Sequence, residues 1–362
     1  MKILHLVTSL DFGGLERRME ILSKYPSSQN EFVFCALGGG GEAYNKMCSF
    51  DAQVHLLDCD FRIFSFKTFI KLLKFVKRAG VDVIHSHGAE ANFYGMLVGF
   101  FLGVRVRVAE EIGIPAYSWK SRKIFSFIFG LAHSLIAMSP AVKRFLSKEM
   151  VLSEKKIDLV YNPVLLSERH KSSYLSSGVV VFAFLGRLEK VKNPDGLLRA
   201  FNELIKSGKK ARLIFIGDGS LAESLKKYAS DNALGEHVTF HGFSSDPFSI
   251  LINADVIVQP SHNEGFSLAL VEAMSAGLPA LATPAGGAKA LLINGGGWVM
   301  KSSEDNDLYA GLDAVLNNQK SIKEEGQKAI EAIGEKHDAK LYAKKLDSYY
   351  HGLISSKGSK RL

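Results

Sequence analysis

Short apolar runs recur along the chain, and most are followed by a stretch in which apolar residues return every three or four positions. The runs predict strands at 2–7, 31–36, 53–57, 81–85, 104–109, 134–138 and 157–160, then a second series at 179–185, 211–216, 237–241, 255–259, 279–283 and 297–300. Strand and helix in alternation build parallel sheets covered on both faces, so the fold class is α/β with two doubly wound, Rossmann-like domains. The polar stretch NPVLLSERHKSSYLSSG separates the series and predicts domains at 1–165 and 179–339 with a linker at 166–178. Ligands of such sheets bind beyond the carboxyl ends of the strands, and two facing domains would offer an interdomain cleft.

Composition supports two cores: the chain has 362 residues, 47% hydrophobic and 23% charged. Cys35, Cys48 and Cys59 lie in no C-x-x-C spacing, which predicts neither a disulfide framework nor a zinc site and suits a reducing compartment. The first apolar run is too short for a signal peptide, and 93–104 and 124–138 fall below the ~18 apolar residues of a membrane span, so the expectation is a cytoplasmic protein.

The formal charge of +8 is uneven, with 21 Lys and Arg against 15 Asp and Glu in residues 1–165 and 24 against 22 in the rest. Lys67, Lys71, Lys74 and Lys77 recur at helical spacing among Phe, Ile and Leu, either as the solvated face of an α/β helix or as a cationic docking face. Nearby, Trp119, Phe125, Phe127 and Phe129 stand beside Lys120, Arg122 and Lys123. Aromatic and basic residues together favour peripheral contact with an anionic membrane. No helix-turn-helix, zinc finger or aromatic sheet motif presents the patch to nucleic acid, which is not an expected partner.

Candidate chemistry gathers in NEGFSLALVEAMSAGLPALATPAGG, residues 263–287. Glu264 falls in the loop after a strand, Phe266, Ser267 and Leu268 open a helix stopped by Gly277 and Pro279, and Glu272 lies on that helix. First-turn amides are unpaired donors where a phosphate binds, and carboxylates on either side can accept from sugar hydroxyls. The plainer alternative is that Glu272 pairs locally and Glu264 is an ordinary loop residue. Arg187 and Lys192 in GRLEKVKNP follow the first strand of the second series and could neutralise a diphosphate, although single basic residues at strand ends are common.

Together with GGLE (13–16), DVIHSHG (82–88), FIGDGS (215–220), HVTFHGF (237–243) and DVIVQPS (255–261), these segments resemble, in order and over nearly the whole chain, the retaining nucleotide-sugar glycosyltransferases of GT-B type, family four. The resemblance implies a GT-B fold and transfer from a nucleotide diphosphate sugar, taken as a UDP-sugar, to a lipid-linked or polysaccharide acceptor in bacterial cell-surface glycan synthesis. By position, Glu264 would hold the transferred sugar, Glu272 the ribose, and Arg187 with Lys192 the diphosphate. Backbone amides of Phe266, Ser267 and Leu268 would receive phosphate, with Gly13 and Gly14 approaching closely. Gly217, Asp218, Gly219, Gly242 and Phe243 would line the base pocket.

His87 matches the family's cleft histidine, with a satisfied core histidine as its alternative and His85 read as such. On the acceptor or membrane side stand Lys67, Lys71, Lys74, Trp119, and Glu110 with Glu111, which occupy the loop after a strand where many relatives have histidine. Ala290 departs from a common glutamate. Attack on the donor's front face needs no nucleophilic carboxylate, and with no D-x-D motif neither a metal nor a cofactor is expected. The last helix, about 340–362, would pack back on the first domain. A sugar-nucleotide epimerase or phosphorylase on the same architecture, or an inactive glycan-binding relative, is the alternative. The G-x-G-x-x-A of IGDGSLAESL would suit a dehydrogenase, but HVTFHGF lacks the acidic residue for a ribose.

Overall fold

A computed structural model describes residues 1–358 apart from Phe12, Ala116, 165–170, Ser172, 176–177 and 265–266, and omits the side chains of 335–336 and 356–358. The chain divides into two units, Met1–Leu165 with His337–Leu362, and Leu166–Lys336.

The first unit holds a seven-stranded parallel sheet: β1 (Lys2–Val7), β2 (Glu31–Ala36), β3 (Gln53–Leu56), β4 (Val83–His87), β5 (Val106–Glu111), β6 (Ser134–Ala137) and β7 (Ile157–Leu159), in the order β3-β2-β1-β4-β5-β6-β7. Helices α1 (Gly14–Lys24), α2 (Glu42–Ser49), α3 (Phe66–Ala79), α4 (Ala89–Phe101), α5 (Trp119–Leu131) and α6 (Pro140–Arg144) connect the strands. The near-continuous burial of β1, β2 and β4 is what a sheet covered on both faces requires.

Strands β4 and β5 run two residues later than the apolar runs at 81–85 and 104–109 predict. The ladder continues to the pair His87↔Glu110, and Asn92 fixes that end, its Nδ2 donating to Glu110 O at 2.8 Å and its Oδ1 accepting from Glu110 N at 3.2 Å. Polar side chains therefore sit inside the sheet, and Glu110 and Glu111 belong to a strand, not to the loop expected for them. Helix α3 follows its spacing: Thr68, Leu72 and Val76 are buried, the four lysines are exposed, Ser65 caps the start and Gly80 the end, in the left-handed region at φ 63°.

The second unit holds β8 (Val180–Leu185), β9 (Ala211–Ile216), β10 (Val238–Gly242), β11 (Val256–Gln259), β12 (Ala280–Ala282) and β13 (Gly297–Val299), all parallel, in the order β10-β9-β8-β11-β12-β13. Its helices are α7 (Pro194–Lys206), α8 (Ala222–Asp231), α9 (Phe248–Leu251), α10 (Leu268–Ser275), α11 (Ala288–Leu291), α12 (Asp305–Asn317) and α13 (Ile322–Ile333). The described part of the stretch expected as a linker packs on this unit: Lys171 N donates to Ala276 O at 2.8 Å, Tyr174 Oη to Gly277 O at 2.6 Å, and Leu175 N to Asp255 Oδ1 at 2.8 Å. Residues 166–170, 172 and 176–177 of it lie outside the described residues.

Helix α14 (Ala339–Gly358) returns to the first unit. Tyr342, Leu346 and Tyr350 join the core formed with Ile3, Phe34 and Val108, while Asp347 accepts from Ser27 Oγ and Asn30 Nδ2, each at 2.6 Å. The part of this helix predicted at 359–362 lies outside the described residues.

Candidate functional site

In the second unit the strand order reverses direction between β8 and β11, and such a switch point opens a crevice at the carboxyl ends of the two strands. The loop after β8 carries Arg187 and Lys192, and the loop after β11 carries Glu264. Lys192 Nζ and Glu264 Oε2 form an ion pair, with side chains 22% and 10% exposed. Ser261 Oγ approaches the same carboxylate at 3.5 Å. Asn193, held at φ 55°, caps α7 through its Oδ1, and its Nδ2 donates to Pro260 O at 3.3 Å and Ser303 O at 2.9 Å. The two loops are thus joined by backbone as well as charge.

The loop after β9 packs edge-on against the loop after β8. Leu188 N donates to Asp218 O at 2.9 Å, Leu221 N to Leu188 O at 3.0 Å, and Gly217 N to Gly242 O at 2.8 Å. Gly217 stands at φ 139°, where a Cβ would lie 1.9 Å from Gly186 O, so only glycine fits. Glu189, which sequence reading missed, accepts from Ser220 N at 2.9 Å and Ser220 Oγ at 2.7 Å. Arg187 and Asp218 are exposed, Phe243 is 54% exposed, and Gly219 and Gly242 line the same strand ends.

Ser267 caps α10, accepting from Leu270 N at 3.2 Å. Helical geometry leaves the amides of Leu268 and Ala269 without an intrahelical acceptor. Glu272 is half-buried on this helix. Phe266 lies outside the described residues.

In the first unit the corresponding reversal falls between β1 and β4. Gly13 is the N-cap of α1, with no side-chain cap, and Gly14 is its first residue. His87, expected near the sugar and phosphates, ends β4 with its ring 1% exposed. Nδ1 meets the Glu110 carboxylate, and Nε2 lies 3.0 Å from His5 Nδ1. Arg18 donates to Glu110 through Nη1 at 2.5 Å and Nη2 at 2.7 Å, and through Nη1 to Asn162 Oδ1 at 2.9 Å. His85 Nδ1 lies 2.7 Å from Tyr350 Oη, which bears out the reading of His85 as a core residue.

Burial, then His85, pushes the His87 imidazole down to about 3, against the pull of Glu110. Burial pushes the Glu110 carboxyl up, but Arg18 and the histidines outweigh it and hold it well below the usual carboxylate range. His87 is thus neutral beside an ionised Glu110, with Nδ1 between the Glu110 carboxylate and Arg18 Nη2 and with Nε2 facing His5. Glu110, 0% exposed, faces this network and not an acceptor or a membrane.

Glu111 is 4% exposed, and burial raises its carboxyl to about 7, opposed by Ile112 N and by Tyr117 Oη at 3.3 Å. Arg18 and Asn162 left only a faint trace in the sequence: Arg18 shares the helical face of Leu15 and Leu22, and a charge on an apolar face calls for a buried partner.

Among the described residues, His5, His85 and His87 alone group closely enough to hold a metal ion. The His5–His87 bond and the Arg18 guanidinium, 2.9 Å from His87 Nδ1, make this donor set a poor host for a dication. Lys67, Lys71 and Lys74 are exposed on α3, and Trp119 is 67% exposed with Lys123 Nζ 4.1 Å from the centre of its ring.

Two family profiles together match most of the chain: "Glycosyltransferase Family 4" at residues 12–168 and "Glycosyl transferases group 1" at 167–333. The chain is similar to the Escherichia coli UDP-Gal:alpha-D-GlcNAc-diphosphoundecaprenol alpha-1,3-galactosyltransferase, 28% identical over 69% of this chain and 68% of that protein. It is also similar to the Staphylococcus aureus capsular polysaccharide biosynthesis glycosyltransferase CapM, 23% identical over 99% of each. Among solved structures, Anabaena HepE in complex with UDP superposes with a TM-score of 0.83 at 18% identity, over 97% of this chain and 100% of that one. The apo lipopolysaccharide outer core galactosyltransferase WaaB does so with a TM-score of 0.78 at 20% identity, over 99% and 100%.

Proposed function

The chain belongs to the GT-B glycosyltransferases of family four, and on that premise we propose that it transfers a sugar, with retention of anomeric configuration, from a UDP-sugar to a lipid-linked or polysaccharide acceptor of a bacterial cell-surface glycan. The observation that carries this reading is the Lys192–Glu264 pair at the switch point of the second sheet, with Arg187 on the same loop as Lys192. In this reading the diphosphate takes Lys192 from Glu264, and the carboxylate so released accepts from hydroxyls of the transferred sugar. Arg187 grips two phosphate oxygens in its planar fork while Lys192 follows the charge that builds up as the bond to the sugar breaks. Glu272 takes the ribose, and the first-turn amides of α10 take phosphate.

Front-face transfer is the step proposed. The acceptor oxygen forms the new bond to the anomeric carbon as that carbon's bond to the leaving phosphate oxygen breaks, and the acceptor's proton passes to the departing nucleoside diphosphate. No protein carboxylate becomes bonded to the sugar, and the step needs neither a metal nor a cofactor. His87, buried and neutral, acts through packing in this scheme and touches no substrate.

Support for the lipid-linked acceptor comes from the E. coli relative named above and from the surface of the first unit. Phe64, Phe66, Phe101 and Trp119 are each at least 67% exposed, and Phe64, Phe66 and Trp119 are close in sequence to the lysines of α3 and α5. Bare aromatic rings among cations suit the interface of an anionic bilayer at the cytoplasmic leaflet. Among the described residues no helix is long and apolar enough to cross a membrane.

The test is thermal stabilisation by UDP, GDP, ADP and their common sugars, repeated on Arg187→Ala, since a ligand that binds only the folded state raises the melting temperature. A shift from the uridine compounds that disappears in the variant is expected; no shift from any nucleotide would remove the donor site. Product analysis then separates a transferase, which yields free UDP and a glycosylated acceptor, from an epimerase, which alters the nucleotide sugar itself.

A further inference from the structure

We infer that Arg18 and Glu110 form a clamp that positions the Gly13–Gly14 turn, an inference that rests on the reading of that turn as part of the donor site. Arg18 lies a little over one turn inside α1, whose N-cap Gly13 has no side chain with which to fasten the helix start. The Glu16 side chain lies against that cap, and Arg18 adds a hold from inside the sheet. The guanidinium, 1% exposed, meets the Glu110 carboxylate through two parallel bonds, at 2.5 and 2.7 Å, and reaches Asn162 Oδ1 at 2.9 Å.

Glu110 is itself fixed at both levels. Asn92 holds its backbone, and His87 shares its carboxylate while bonding onward to His5. One carboxylate thus joins α1, the ends of β4 and β5, and the segment after β7. A planar fork on a carboxylate sets orientation as well as distance, which a lysine or an apolar contact does not. A buried ion pair is weak evidence of net stabilisation, and what this one adds beyond stability is a fixed geometry. Both are positioning residues and neither touches substrate.

The test uses the double variant Arg18→Met/Glu110→Leu, which removes both charges and keeps the volume apolar, and Arg18→Lys, which keeps the charge but loses the fork, as a second variant should the double one fail to fold. Melting temperature, amide hydrogen exchange of residues 13–17, and UDP-sugar turnover are measured on each. The expected result is faster exchange confined to 13–17 and turnover lowered about a hundredfold in kcat with KM changed far less, beside the stability lost by leaving His87 and Asn162 without these partners. A merely structural pair would move the melting temperature and leave the kcat-against-KM split alone. Unchanged exchange and unchanged turnover in a folded variant would overturn the clamp. Faster exchange in the variants, with a wild type that turns over no nucleotide sugar, would support the clamp and sink the donor reading by itself.

Discussion

Glu264 and Lys192 are each other's partner, and the pair stands where the proposed diphosphate sugar would divide them. Glu264→Ala should lower turnover by about a hundredfold or more while changing UDP affinity far less, because the carboxylate acts on the sugar and not on the nucleotide. Steady-state rates beside UDP titration read this, and an unchanged rate would remove Glu264 from its proposed role. Glu111 offers a different test. Its folded-state carboxyl is raised to about 7, so the stability it contributes is full below its unfolded value near 4.5 and is lost as pH rises through 7. Glu111→Gln should therefore melt above the wild type at pH 8 and level with it at pH 4, by up to about 3 kcal/mol from the size of the shift. Legibility at this scale divides along burial. Lys192 and Glu264 could be read because residues after strand ends of an α/β sheet meet at a known place. His87 could not, because a motif names a residue without saying whether water reaches it, and that depended on Arg18, Glu110 and His5 closing over both ring nitrogens.

Among the elements, α3 was almost fully legible. The spacing of its lysines and apolar residues stands in the sequence and recurs in the structure, where Ser65 and Gly80 close its two ends. Replacing Lys67, Lys71 and Lys74 together with glutamine leaves that stripe and both caps untouched, so the helix should persist in circular dichroism. Binding to anionic vesicles should weaken by about 1 kcal/mol per lysine, with activity on a soluble acceptor kept. Lys71 bonds back to Leu57 O at 3.0 Å and should count for the least of the three. Undiminished vesicle binding would refute the docking face. The ends of β4 and β5 were not legible in the same way. An apolar run ends where the apolar residues end, whereas a ladder ends where its backbone partners do, and Asn92 supplies those partners beyond the last valine and alanine.

For the whole molecule, the alternation of strands and helices was enough to give two parallel sheets, because period and order are properties of the chain alone. Contacts between distant parts of the chain were not, which is why residues expected as a free linker turned out to pack against the loop ends at Asp255, Ala276 and Gly277. Helix α14 has the largest leverage. Ending the chain after Asp338 would strip Tyr342, Leu346 and Tyr350 from the first unit's core. At about 1.5–3 kcal/mol for each large apolar side chain, the loss rivals the whole stability of an ordinary domain. The truncated protein should lose one of its melting transitions while the 166–336 unit keeps its protected amides; two transitions at wild-type temperatures would show that the helix is dispensable.

The same helix bears on the order in which the protein can be made. Synthesis delivers the first 165 residues early, but the side chains that complete their core come last, and Ser27 must wait for a partner 320 positions away. The contiguous 166–336 unit is ready to fold as soon as it leaves the ribosome. Until α14 is made, that face of the N-terminal sheet stands unfilled.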